Sequence, residues 1–279
     1  MCGIVAVIGS REASPLLIDG LRNLEYRGYD SSGLATIQSI SPELPATLTT
    51  RKVAGKFKNL IELVNKKGSP GNIGIGHTRW ATHGKPEKTN AHPHLDSLGQ
   101  LAVVQNGIIE NHIILRKRLQ SQGVSFISET DTEVIPHLIA EQINTCLREG
   151  LPENGSTLLL AVQKALPLLK GTYAIAIIWA KAPDALVVAR RQAPLIIGFG
   201  EGEFFCASDT PAIVDFTRTV LPMEDNEVAL LTPLGIELYD LEGKRQQRNP
   251  FVLKGVEHIA DKRNYRHFML KEIHEQPET

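Results

Sequence analysis

The sequence predicts an α/β fold: a four-layer αββα sandwich with two stacked sheets inside and helices outside. Short apolar runs rich in β-branched residues alternate with amphipathic stretches along most of the chain, the pattern of strands interleaved with helices. In residues 172–180, Tyr173, Ile175, Ile177 and Trp179 share one face of a strand, and Ala174, Ala176, Ile178 and Ala180 share the other. Both faces are apolar, so that strand needs cover on both sides. A sheet stacked on a second sheet, with helices beyond, meets that need.

Each element has its own signal. Residues 4–8, between Gly3 and Gly9, read as a buried strand. Ser14-Pro15 reads as a helix N-cap followed by proline at the first helical position, with Leu17, Leu21 and Leu24 on one face. Strands are expected at 33–37 and 47–53, separated by a Ser/Pro-rich turn. Phe57, Leu60, Ile61 and Val64 mark a helix that stops at Gly68. Strands at 73–77 and 101–104 precede a helix over 111–122, with Ile114, Leu115 and Leu119 inward. The next helix opens at Thr130-Asp131-Thr132-Glu133 and runs to Arg148, with Pro136 in its first turn. A third begins near Ser156 and carries Leu159, Val162, Leu166 and Leu169. Strands follow at 172–180, 185–189, 195–199, 204–207, 228–232 and 236–241. Gly198-x-Gly200-x-Gly202 is a hairpin turn rather than a dinucleotide fingerprint, because strand residues follow it. One domain over 2–241 is therefore expected, with 242–279 as a charged linker into something further.

Composition narrows the function classes. Of 279 residues, 42% are hydrophobic and 22% charged, with 30 Lys and Arg against 31 Asp and Glu. No polybasic stretch offers a footprint for nucleic acid or a membrane surface. No apolar run approaches the roughly 20 residues of a membrane span, and Met1-Cys2-Gly3 has no basic signal-peptide region. Three cysteines, Cys2, Cys146 and Cys206, suit reduced thiols in a cytoplasm better than a disulfide framework.

Cys2 is the most informative residue. Once Met1 is removed, it carries a thiol and an α-amine on one residue, with ordinary pKa values near 8.5 and about 7.7–8.0. The amine can take the thiol proton, directly or through one water, and later return a proton to a leaving amine. A cysteine placed there by chance is the bland alternative. Gly3 leaves room for a substrate against the backbone, and the strand at 4–8 would hold Cys2 on a rigid edge.

Cys-Gly-Ile-Val at a mature N-terminus resembles the class II glutamine amidotransferases, which are N-terminal-nucleophile hydrolases. Five further blocks narrow the resemblance: Leu-Glu-Tyr-Arg-Gly-Tyr-Asp-Ser-Ser-Gly at 24–33, His-Thr-Arg-Trp-Ala-Thr-His-Gly at 77–84, Asn-Ala-His-Pro-His at 90–94, Asn-Gly-Ile-Ile-Glu-Asn at 106–111 and Ser-Glu-Thr-Asp-Thr-Glu at 128–133. Together they are similar to the glutaminase half of the glutamine–fructose-6-phosphate aminotransferase family. The block at 265–273 resembles that family's junction into its sugar-phosphate isomerase half. The resemblance implies two stacked, mainly antiparallel sheets, L-glutamine as substrate and no cofactor or metal. It also implies fructose 6-phosphate as a partner only through the missing C-terminal half, and a homodimer in the full-length enzyme.

Glutamine presents a carboxylate, an ammonium and an amide. Arg79 suits the carboxylate, since a guanidinium can hold it with two parallel hydrogen bonds; a surface ion pair is the alternative. Asp131 suits the ammonium, or else caps the helix that opens there. By resemblance, Thr82 and His83 add contacts at the carboxylate end and Gly107 at the amino end. Asn106-Gly107 reads either as a turn after the strand at 101–104 or as an oxyanion hole of side-chain amide and backbone N–H; the two are compatible. Arg27 orients the Cys2 end by resemblance, or pairs with Asp30. Trp80 is core, or by resemblance gates ammonia between the two halves. His77, His83, His92 and His94 lack the neighbours of a metal site and read as structural, with His92 in the shell supporting the site. Two rivals remain: another class II glutaminase, and a glutamine-binding module without catalysis if Met1 is retained.

Overall fold

The computed structural model describes residues 2–28, 30–41 and 43–254, together with 265, 270, 273 and 274. The uninterrupted apolar run at the N-terminus becomes β1 (Gly3–Gly9), buried along its whole length. β2 (Ser31–Gln38), β3 (Thr47–Ala54) and β4 (Ile73–Arg79) follow, with α1 (Ala13–Asn23) and α2 (Phe57–Lys67) between them. β5 (His94–Leu95) and β6 (Leu101–Ile109) lead into α3 (His112–Ser121), α4 (Val134–Arg148) and α5 (Gly155–Ala165). The remainder is β7 (Gly171–Trp179), β8 (Ala182–Arg191), β9 (Ile196–Phe199), β10 (Glu203–Ala207), β11 (Thr219–Pro222), β12 (Glu227–Thr232), β13 (Gly235–Asp240), β14 (Arg245–Gln246) and β15 (Phe251–Val252).

These strands form two antiparallel sheets among the described residues. The first runs β15-β11-β9-β10-β1-β4-β2-β3, and the second β14-β13-β12-β8-β7-β6-β5. Alternate residues of each central strand serve different layers. Ile4, Ala6 and Ile8 of β1 meet Ala102, Val104, Ala174 and Ala176 between the sheets. Val5 and Val7 pack outward with Leu17, Leu21 and Leu60 of α1 and α2. Val103, Ile175 and Val187 pack on the other side with Leu138, Leu158 and Val162 of α4 and α5. The order is helix, sheet, sheet, helix, as the two-faced strand at 172–180 requires.

Several local expectations shift. α1 begins at Ala13 with Glu12 as N-cap, so Ser14 is not the cap. Pro15 is the third helical residue, within the first turn, where no intrahelical donor is lost. Ile114 is 72% exposed while Leu115 and Leu119 are buried, because α3 offers its neighbours only a narrow stripe. β6 does not stop at residue 104. Its pairing with β7 continues from Leu101↔Trp179 to Ile109↔Gly171, so Asn106-Gly107 lies inside a strand and not in a turn. β11 is too short to carry a readable sequence pattern. The expected hairpin at 198–202 is present, with Gly200 N–H donating to the Glu203 carbonyl at 2.9 Å.

Strand pairing also runs past residue 241. β14 joins β13 in the second sheet and β15 joins β11 in the first. Between them Arg248 donates to the Pro222 carbonyl at 2.9 Å and pairs with Glu227 of β12. The sequence block at 265–273 lies outside the described residues except for Tyr265, Leu270 and Ile273, as does most of the expected linker. No helix among the described residues is long and apolar enough to cross a membrane.

Candidate active site

The register of β1 against β4, Gly3↔Thr78, brings Cys2 beside the end of β4. The Cys2 sulfur accepts the Trp80 backbone N–H at 3.2 Å. A Cβ on Gly3 would stand 2.7 Å from Thr78 Oγ1 and 2.8 Å from Leu24 Cβ. The space at Gly3 is thus taken by protein, and the expected room for substrate is not there. Burial pushes the Cys2 thiol up, while the Trp80 N–H and the charges of Arg79 and Arg27 pull it down.

Arg27 is buried and forms an ion pair with Asp209 at 2.6 Å, an oxygen that also accepts from Tyr26 Oη at 2.7 Å. The expected alternative partner, Asp30, does something else: its Oδ2 accepts the Ala81 N–H at 2.6 Å and shapes the loop after β4. Asp209 follows Ser208, whose hydroxyl accepts the Ile4 N–H at 3.0 Å. Arg27 therefore ties its own short helical turn to the backbone that flanks β1.

Arg79 is 3% exposed, so the surface ion-pair reading fails. Its guanidinium donates to the carbonyls of His83, Gly84 and Lys85, folding the loop around itself. Burial lowers its pKa, against the opposing pull of Cys2, Asp30 and Asp131. Asp131 is not a helix cap: α4 starts at Val134 with Glu133 before it. Asp131 Oδ2 instead accepts the Ile109 N–H at 2.7 Å, and Oδ1 lies 3.8 Å from His83 Nδ1. His83 is also near Thr82, with Nδ1 at 3.3 Å from Oγ1.

Asn106 sits between the sheets. Its Nδ2 donates to the Cys2 carbonyl at 3.1 Å, and its Oδ1 lies 3.0 Å from His77 Nε2. Because the Cys2 carbonyl can only accept, Oδ1 faces His77, which must therefore carry its proton on Nε2. His77 stacks on His92 at 4.1 Å, and His92 meets His94 edge-on at 4.8 Å. His92 Nδ1 accepts the Gln105 N–H at 3.2 Å, and His94 Nε2 meets Thr130 Oγ1 at 3.0 Å. Burial pushes His77 down to about 3 and His92 and His94 well below the usual imidazole range, so all three rings are neutral at pH 7. Among the described residues no three His, Cys, Asp or Glu side chains converge to hold a metal.

A small pocket, open to solvent at its mouth, unites much of this set. Cys2, Arg79, Trp80, Thr82, His92, Gly107 and Asp131 line it. Trp80 is therefore a pocket wall and not plain core. Arg27, His83 and Asn106 stand behind or beside the lining. Gly107 has φ +109°, and a Cβ there would meet the Thr172 carbonyl oxygen at 2.2 Å; only glycine lets β6 run this close to β7 here. Gln105, Thr130 and Thr132 also line the pocket. Sequence reasoning missed them, although Thr130 and Thr132 flank Asp131 and a glutamine in an apolar strand is itself a signal.

Residues 77–215 match the glutamine amidotransferase domain family. The chain is 55% identical over 277 residues to the glutamine–fructose-6-phosphate aminotransferase (isomerizing) of Thermosynechococcus vestitus, covering 99% of this chain and 42% of that one. It is 47% identical to the protein of the same name from Clostridium tetani, covering 43% of it. The chain thus spans less than half the length of these relatives. Among solved structures, the glutamine phosphoribosylpyrophosphate amidotransferase of B. subtilis superposes with a TM-score of 0.68 at 28% identity, over 86% of this chain and 49% of that one.

Proposed function

The chain belongs to the glutamine amidotransferases, and from that premise we propose that it hydrolyses L-glutamine to glutamate and ammonia with Cys2 as nucleophile. What supports this reading is one pocket whose walls include a thiol, a guanidinium, a carboxylate and an exposed strand backbone. With Met1 removed, the Cys2 α-amine takes the thiol proton, and the thiolate attacks the side-chain amide carbon. Negative charge develops on the amide oxygen. The second N–H of Asn106 Nδ2 and the Gly107 N–H answer it; removing one such donor typically costs about 2.7–4 kcal/mol of the barrier. The C–N bond breaks as the amine hands its proton to departing ammonia, and water then releases glutamate from the thioester. Arg79 and Thr82 hold the α-carboxylate and Asp131 the ammonium. His83 braces that end, and His92 keeps the wall behind it dry.

The relatives' name extends the proposal to a longer enzyme. Its glutaminase domain covers the expected 2–241 and, through β14 and β15, continues to 252; the residues that follow lead to a sugar-phosphate isomerase half. There the ammonia, admitted past Trp80, converts fructose 6-phosphate to glucosamine 6-phosphate, in a cytoplasmic homodimer. The test is ammonia release by wild type and Cys2→Ala, beside the intact mass of each. Turnover lost in Cys2→Ala and a mass lacking Met1 are expected. Glutamine binding without turnover, on a chain retaining Met1, would make this a binding module instead.

A further inference from the structure

In β6 the odd-numbered side chains Leu101, Val103 and Ile109 face the helix layer, and position 105 falls in that series. Gln105 is 2% exposed there. Its Oε1 accepts from the Thr132 hydroxyl, which fixes the carboxamide. Its Nε2 is buried and has no hydrogen-bond partner among the described residues. An unmet buried donor is destabilising, and an apolar residue in its place would avoid that cost. The side chain borders the pocket together with Arg79, Thr130 and Asp131.

Nε2 carries only hydrogens, so it answers an acceptor. Glutamine has two: the side-chain amide oxygen and the α-carboxylate. The first belongs at Cys2, with Asn106 and Gly107. The second is bonded to the same carbon as the ammonium that Asp131 holds. We infer that Gln105 is a substrate-binding residue whose Nε2 donates to the α-carboxylate beside Arg79, and so selects α-amino acids over simple amines. The inference rests on the glutamine-site reading above, but its test needs no turnover.

Calorimetry on the full chain compares glutamate with 4-aminobutyrate, which lacks the α-carboxylate. Wild type is expected to favour glutamate. Gln105→Met should weaken glutamate by about 10-fold or more, the scale of one charge-assisted bond, and leave 4-aminobutyrate within 2-fold. Gln105→Glu, equal in shape to glutamine, should weaken glutamate further and serves if the methionine variant does not fold. Equal weakening of both ligands, no change in either, or tighter glutamate binding by Gln105→Glu would overturn the assignment. Selective glutamate binding by a wild type that releases no ammonia would sink the hydrolase reading and leave this one standing.

Discussion

At Cys2 two opposing influences meet: burial favours the thiol, and Arg79, Arg27 and the Trp80 N–H favour the thiolate. Removing the charge at position 79 should therefore raise the thiol's pKa. In Arg79→Met, the pH midpoint of Cys2 alkylation is expected to move upward, while Arg79→Lys holds it near the wild-type value yet binds glutamine poorly. A midpoint unmoved in both would remove Arg79 from the electrostatics of the sulfur. Asn106→Ala should lower kcat by about 100- to 1000-fold with the fold intact; a drop under 10-fold in steady-state ammonia release would leave the Gly107 N–H as the sole donor. Cys2 stands out in the sequence because position 2, once Met1 is removed, would put a thiol and an α-amine on one residue. The partner of Arg27 was not, since Asp209 lies 182 residues away and nothing near Arg27 in sequence distinguishes it from Asp30.

β6 shows how an element can override a local signal. Asn-Gly is a strong turn former, yet here the ladder to β7 passes through it unbroken. The glycine contributes its positive φ and its missing Cβ to the close approach of β6 to Thr172. Gly107→Ala should cost on the order of 2 kcal/mol or more from backbone strain and the clash with the Thr172 carbonyl. For a domain this size that is a Tm lower by about 5 °C, checked by thermal scanning; an unchanged Tm would contradict the strand placement. Helix faces such as that of α4, with Ile135, Leu138, Ile139 and Ile143 all buried, were readable because periodicity and packing agree. Ile114 was not, because an apolar side chain beside a stripe looks the same in sequence as one within it.

At the scale of the whole molecule, the four-layer order followed from strands apolar on both faces, which leave few other arrangements. The packing of neutral His77, His92 and His94 between those layers gives the fold a pH dependence. The unfolded chain binds their protons near pH 6.5, whereas His77 resists protonation down to about 3 and the other two well below 6.5. Stability is thus complete above pH 6.5 and declines as pH falls below it, the His77 contribution being lost towards pH 3 at up to about 1.4 kcal/mol per pH unit. Urea midpoints measured at pH 7.5, 6 and 5 should drop in that order; a flat profile would mean that the rings are solvated.

The segment from β14 to β15 has a mechanical consequence. It is laced to one sheet by Leu238↔Gln246 and to the other by Val220↔Phe251, with Arg248 gripping both. Tension applied at residue 253 would load the two layers together and shear them across their shared interior.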